Sequence, residues 1–248
     1  MCGRFSLTAS PEELEALFEI LDGIGEFPPR YNIAPTQPIL TVGINAAGDR
    51  AGHLVRWGLI PHWVKDPDDF TLIINARSET AATKASFKTA LRHRRVLIPA
   101  SGFYEWHRPQ DKSQPKQAYW IRASQGGPIA FAGLVETWMG KDGTEVDTGC
   151  ILTTESNDQI GNIHHRMPVV IKPENFDQWL DCKTQGPKEI KELMKPVENG
   201  FFEALAVGDA VNKVANSGPE IQKPGQAEPV EKNKDKKSKP DDGQMSLF

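Results

Sequence analysis

Cys2, directly behind the initiator methionine, restricts the possible chemistry of this chain more than any other residue. Loss of Met1 would leave a cysteine with its thiol and a free α-amine on adjacent carbons. Such a pair condenses with an aldehyde. The amine forms a Schiff base with loss of water, and the thiol then closes on the imine carbon to give a five-membered thiazolidine. With an α-amine near about 7.7–8.0 and a thiol near about 8.5, a minor fraction of each is unprotonated at neutral pH. Amines and thiolates are also the common covalent nucleophiles of enzymes. The competing reading is an incidental cysteine on a frayed terminus, and the rest of the chain has to decide between them.

Four further strings hold residue types that are costly in an ordinary core or loop. Trp57-Gly58-Leu59-Ile60-Pro61-His62-Trp63 sets two tryptophans around a glycine and a proline, and Asn75-Ala76-Arg77-Ser78-Glu79-Thr80 follows a hydrophobic stretch directly. Pro99-Ala100-Ser101-Gly102-Phe103-Tyr104-Glu105-Trp106 places a carboxylate between aromatics, and Ile163-His164-His165-Arg166-Met167-Pro168 enters an apolar run with two imidazoles and a guanidinium. An apolar setting of the kind Tyr104 and Trp106 suggest raises a carboxyl group into the range useful for proton transfer. A salt-bridged strand glutamate is the plainer account of Glu105. The six histidines raise the question of a metal. No HExxH or Cys/His pair spacing is present, and His164 and His165 as neighbours on a strand would point apart, so neither metal nor cofactor is expected.

The elements that must position these groups are short. Ser10-Pro11-Glu12-Glu13 gives an N-cap, a proline at the first helical position and acids in the first turn, predicting a helix over Pro11 to Leu21. From about Gly23 to Pro38 the chain reads as irregular, with Tyr31-Asn32-Ile33-Ala34-Pro35 as a fixed turn. Branched and aromatic runs predict strands at Pro38–Val42, Gly52–Trp57, Thr71–Asn75, Arg95–Pro99, Gly102–His107, Ala118–Ala123, Ile129–Val135, Gly149–Thr153, Met167–Ile171 and Phe201–Val207. Helices are predicted over Thr80–His93, Pro173–Leu180 and Pro187–Met194. Many short strands, few helices and no βαβ alternation imply an α+β fold, a compact antiparallel sheet or barrel-like core with peripheral short helices. Three cysteines without CxxC spacing argue against a disulfide framework and for a reducing compartment. No apolar run approaches bilayer length and no secretory leader is evident, so a cytoplasmic protein without membrane contact is expected. The net charge of −4 excludes nucleic-acid attraction by the overall field and leaves it to a local basic face. Lys84, Lys88, Arg92, Arg94 and Arg95 are the densest such cluster ahead of the tail. From about Lys223 to Gly243 the chain is charged and poor in large apolar residues, the composition of a disordered linker.

Taken with Met1-Cys2-Gly3-Arg4-Phe5, Tyr31-Asn32-Ile33-Ala34-Pro35 and Val211-Asn212-Lys213-Val214-Ala215-Asn216-Ser217-Gly218-Pro219, the four strings resemble the SOS response-associated peptidase (SRAP) family. Its members crosslink covalently to abasic sites in single-stranded DNA. The resemblance runs from Cys2 to Pro219, with Val135 standing where the family often has a tryptophan. It implies a catalytic and DNA-binding domain over residues 1–222, a nucleophile at Cys2 and a general acid/base at Glu105. It also implies that Asn75 orients the amine or the sugar and that His164 assists ring opening at the sugar oxygen. Arg4, Arg77 and Arg166 would hold phosphates, with Lys84 extending that track. Trp63 and the segment Asn32 to Pro35 would stack on or wedge between bases. The family name adds an alternative activity, a thiol (auto)peptidase of N-terminal-nucleophile type. Met1 could leave by that route or through an ordinary aminopeptidase. Beyond the linker at 223–243, Gln244-Met245-Ser246-Leu247-Phe248 resembles the short peptide that docks bacterial repair proteins on the sliding clamp, with Gln244, Leu247 and Phe248 as its contacts. A monomer at the replication fork is expected, its partners single-stranded DNA with abasic sites and the clamp.

Overall fold

The computed structural model describes residues 2–20, 23–111 and 113–227. In chain order these form β1 (Phe5–Leu7), α1 (Pro11–Phe18), β2 (Arg30–Ile33), β3 (Pro38–Ile44), β4 (Arg50–Trp57) and β5 (Asn75–Arg77). Two short helices, α2 (Ser78–Ala81) and α3 (Lys88–His93), precede β6 (Arg95–Ala100), β7 (Gly102–His107), β8 (Gln117–Ala123), β9 (Ile129–Met139) and β10 (Glu145–Glu155). Then come α4 (Asp158–Gly161), β11 (Arg166–Pro168), β12 (Val170–Ile171), α5 (Phe176–Leu180) and β13 (Phe202–Val207), with single 3-10 turns between and after them.

Five strands close on themselves. β4 pairs with β3, β3 with β6, β6 with β9, β9 with β10, and β10 returns to β4. Closure leaves no free edge in that ring. β6 is buried at every position. A second sheet, ordered β13-β8-β7-β1-β2, is antiparallel throughout and lies against the barrel. Phe5 joins the two layers, its ring edge-on to Trp57 of β4 at 5.2 Å and to Phe131 of β9 at 6.1 Å. Burying such a ring contributes about 1.5–3 kcal/mol, which holds a terminus that would otherwise fray.

The α+β barrel-like class is therefore the one expected, with one difference. β10 runs parallel to β4 and β5, so the large sheet is mixed and not wholly antiparallel. The first predicted helix ends at Phe18, where Glu19 turns left-handed (φ 53°), after a complete capping box between Ser10 and Glu13. The helix expected over Thr80–His93 is broken into α2 and α3. Tyr31–Ile33, expected as a turn, belongs to strand β2, and Phe5–Leu7 is a strand that no periodicity announced. Pairing continues past Lys223, since Gly225 N donates to Ala206 O at 3.0 Å and Pro224 bridges Val207. No helix of the described residues is long and apolar enough to cross a membrane.

Candidate functional site

Alternation along β7 decides which way each of its side chains faces. Phe103 packs into the main core between the sheets, whereas Tyr104 and Trp106 belong to the cluster on the outer face. Glu105 shares the parity of Phe103, so the pleat turns its carboxylate inward, where only 4% of the residue is exposed. Gly102 permits the close pairing of β7 and β8, since a Cβ there would meet Trp120 Nε1 at 2.6 Å and Ile121 O at 2.7 Å. The β1–β7 register, Phe5 opposite Phe103 and Ser6 opposite Gly102, carries on through Tyr104 N donating to Arg4 O at 2.9 Å. Extended by one residue, it sets Gly3 against Glu105. The N-terminal end of the chain is thereby delivered beside the buried carboxylate.

Cys2 is fully buried there and its thiol reaches the Arg4 carbonyl at 3.8 Å. Burial pushes the thiol well above its ordinary value, and the nearby Glu105 charge adds to the shift. The frayed-terminus reading does not survive this placement. Asn75 arrives from the barrel, at the start of β5 against Ile151 of β10. Its Nδ2 donates to Cys2 O at 2.8 Å, while its Oδ1 is buried without a hydrogen-bond partner among the described residues. His164 lies in the loop ahead of β11, with Nδ1 4.0 Å from Glu105 Oε1. Arg166 fixes the ring through its backbone: its N–H donates to His164 Nδ1 at 3.0 Å and its carbonyl lies 3.1 Å from the same nitrogen. Burial lowers the His164 pKa, against the opposing pull of Glu105. A neutral imidazole, a carboxylate, an amide and a thiol thus converge on one point.

His164 and His165 do not point apart. Being in a loop and not on a strand, they stack at 4.5 Å with 28° between ring planes. Among the described residues no three His, Cys, Asp or Glu side chains group closely enough to hold a metal ion.

The residues expected to hold DNA fall into two sets. Arg4 faces the outer side of the small sheet, where Nη1 donates to Asn32 Oδ1 at 2.8 Å and Val211 O at 2.9 Å. Asn32 is buried, and its Nδ2 donates to Asn216 O at 2.8 Å and Lys213 O at 3.1 Å. The pair latches the 211–216 segment onto β1 and β2, and of Asn32 to Pro35 only Pro35 is partly exposed. Arg166 is also buried, gripped by Glu79 through two hydrogen bonds of 2.6 and 2.9 Å and donating to Thr153 O at 2.6 Å. For Glu79 partial burial is the largest single influence and raises the pKa, but Arg166 and backbone hydrogen bonds together outweigh it, and the pKa is lowered. The other set is open. Arg77, two residues after Asn75 on β5, is exposed, as is Lys84 beyond α2. Trp63 is 49% exposed and stands edge-on to Phe70 at 5.7 Å. It sits on a loop anchored by Trp138 Nε1, which donates to Val64 O at 2.7 Å. Trp57 is fully buried in the core.

Glu79 is the member that sequence reasoning missed, although it stands inside the Asn75–Thr80 string. An acid on a helical turn is normally solvated, and only the fold reveals the buried guanidinium behind it. The C-terminal peptide with Gln244, Leu247 and Phe248 lies outside the described residues, as does most of the linker.

Known proteins share this arrangement of chain. The chain is 40% identical over 223 residues to abasic site processing protein YoqW of Bacillus subtilis, covering 89% of this chain and 98% of that one. It is 33% identical over 235 residues to abasic site processing protein YedK of Escherichia coli, covering 90% and 100%. A crystal structure of a Bacteroides thetaiotaomicron protein superposes with a TM-score of 0.78 at 25% identity, covering 90% of this chain and all of that one. The profile of one family, SOS response associated peptidase (SRAP), matches residues 1–214. The chain belongs to the SRAP family.

Proposed function

We propose that this protein processes abasic sites by forming a covalent thiazolidine between mature Cys2 and the open-chain aldehyde of an abasic deoxyribose in single-stranded DNA. The observation that carries the reading is the convergence of Asn75, Glu105 and His164 on a buried N-terminal cysteine. The names of the relatives supply the substrate.

The steps balance with water as the only product released. His164 assists opening of the sugar ring, and the Cys2 ammonium gives a proton to the Glu105 carboxylate. The freed amine, oriented by the acceptor Oδ1 of Asn75, adds to the aldehyde carbon and passes a proton to the new oxygen. Glu105 donates a proton to the carbinolamine hydroxyl, which leaves as water to give an iminium and a carboxylate. The Cys2 thiol, held protonated by burial, returns a proton to Glu105 as its sulfur bonds the iminium carbon, and the ring nitrogen ends neutral. One carboxyl group alternating between acid and base is the usual economy of such sites. Arg77 and Lys84 would take phosphates and Trp63 a base, a reading their exposure supports, whereas Arg4, Asn32 and Arg166 would support the site through the contacts above.

The test is intact-mass spectrometry of the purified protein incubated with an abasic single-stranded oligonucleotide. The expected product has lost Met1 and gained the oligonucleotide's mass less one water. Absence of any adduct from a chain that has lost Met1 would sink the reading. The same thiol, with Glu105 beside it, also suits attack on the Met1 carbonyl. If Met1 leaves that way, Glu105→Gln protein retains it; removal at the normal extent assigns the step to an aminopeptidase. Docking of Gln244, Leu247 and Phe248 on the sliding clamp is a separate proposal, tested by clamp pull-down with the last five residues deleted.

A further inference from the structure

A groove is walled by Glu79, the partner of Arg166. Its cavity of about 450 Å³ lies between α2 with the end of β10 and the chain from Pro187 to Pro196. Buried Arg166 ties that wall to the site, with its backbone N–H on His164 and its guanidinium on Glu79. Buried Met194 gives an apolar floor, and the rim carries exposed Ala82 and three exposed lysines, Lys188, Lys191 and Lys195. Of the two acids that line it, Glu79 is already neutralised by Arg166, so Glu155 alone faces the lysines unbalanced within the groove. Lys195 also meets Glu192 on the outer surface, both largely exposed and therefore weakly bound in water.

We infer that this groove is a second phosphate track, which holds the single strand as it runs on from the reacting sugar. The inference rests on the proposed function for the direction of the strand, and on the groove's own charge and shape for the occupant. An apolar floor with separated ammonium groups suits a polymer carrying one anion per unit and flat, sequence-independent bases. Three lysines with flexible stems act as point charges and demand no fixed geometry of the backbone. An acidic protein segment is the other chemistry the rim could attract, and the experiment separates the two.

The test compares the wild type with the Lys188→Ala/Lys191→Ala/Lys195→Ala protein, whose changes are at exposed positions. For undamaged single-stranded DNA of about 16 nucleotides, the variant is expected to bind more weakly. Its plot of log affinity against log salt should flatten by about 2, at roughly 0.7 for each phosphate no longer neutralised. With abasic oligonucleotide of that length below saturation, crosslinking should slow several-fold. With an oligonucleotide of about 4 nucleotides centred on the lesion, too short to enter the groove, the variant should match the wild type. Unchanged salt slope and unchanged long-strand crosslinking overturn the inference, and so does equal slowing on both lengths, which would put the lysines in the chemistry. A wild type that forms no adduct would refute the parent reading alone, because the salt slope on undamaged DNA still decides whether the track exists.

Discussion

Cys2 and Cys150 are both fully buried thiols, and burial suppresses the acidity of both. Only their neighbours differ. Cys150 sits in β10 opposite Leu134 of β9, and loss of solvent is the whole cause of its raised pKa. Cys2 has the charge of Glu105 beside it and its carbonyl held by Asn75. Desolvation by itself therefore makes a thiol inert. Under the proposed function, what would set Cys2 apart from Cys150 is the Glu105 carboxylate whose charge it feels, as the group that takes the proton when the sulfur attacks.

That contrast can be broken most severely at the nucleophile. Cys2→Ala protein should form no adduct stable on a denaturing gel with abasic single-stranded DNA, while Cys150→Ala protein should crosslink at the wild-type rate. Equal loss in both would make the sheet core, and not the N-terminal pair, responsible. Glu105→Gln comes next, since it keeps the size and a hydrogen-bonding group but cannot carry the proton. Adduct formation should slow by about 10²–10⁴-fold, measured by single-turnover quenching. A rate within a few-fold of wild type would return Glu105 to the role of a strand residue. A smaller effect is expected from Asn75→Ala, which removes the hydrogen bond to the Cys2 carbonyl and the acceptor proposed to orient the amine. Each is worth about 0.5–1.5 kcal/mol net, and so roughly 5–160-fold in rate together. No change in rate would mean that the register of β1 against β7 alone positions Cys2.

How much of this is legible beforehand follows from what each element depends on. Gly102–His107 can be bounded from sequence because its aromatic residues favour a strand, and the pleat of that strand then turns Glu105 to the side of Phe103. β1 and β2 span three and four residues, too few to show alternation, and they are strands because β7 and each other offer hydrogen bonds. The same blindness affects Arg4 and Asn32. Their types suit a phosphate or a base edge, and only the three-dimensional position of the 211–216 carbonyls shows where their donors go. The apolar run after His164 and His165 suggests a strand, which would separate the rings; the loop that α4 and β11 leave between them stacks the rings instead. Cys2 is legible from its rank in the chain, since an amino-thiol exists at no other position.

The smallest expected effect concerns stability and separates burial from reactivity. Folding raises the pKa of Cys150, so the folded state favours the protonated thiol. Below the ordinary thiol value near about 8.5, folded and unfolded chains both hold that proton, and the contribution to stability is constant. Above it the unfolded chain ionises first, and stability falls as pH rises toward the folded-state value, by about 1.4 kcal/mol per pH unit for each such group. Cys2 adds a parallel loss over the same window, for the same sign of shift. Cys150→Ala should therefore be less stable at pH 7, through the small cavity, yet lose stability less steeply in alkali than the wild type. Denaturant unfolding at several pH values between about 8 and 10 measures both slopes. Parallel curves would mean that Cys150 ionises as easily in the folded protein as out of it. Burial would then not be what keeps the Cys150 thiol inert, and the premise that the two thiols share would fail.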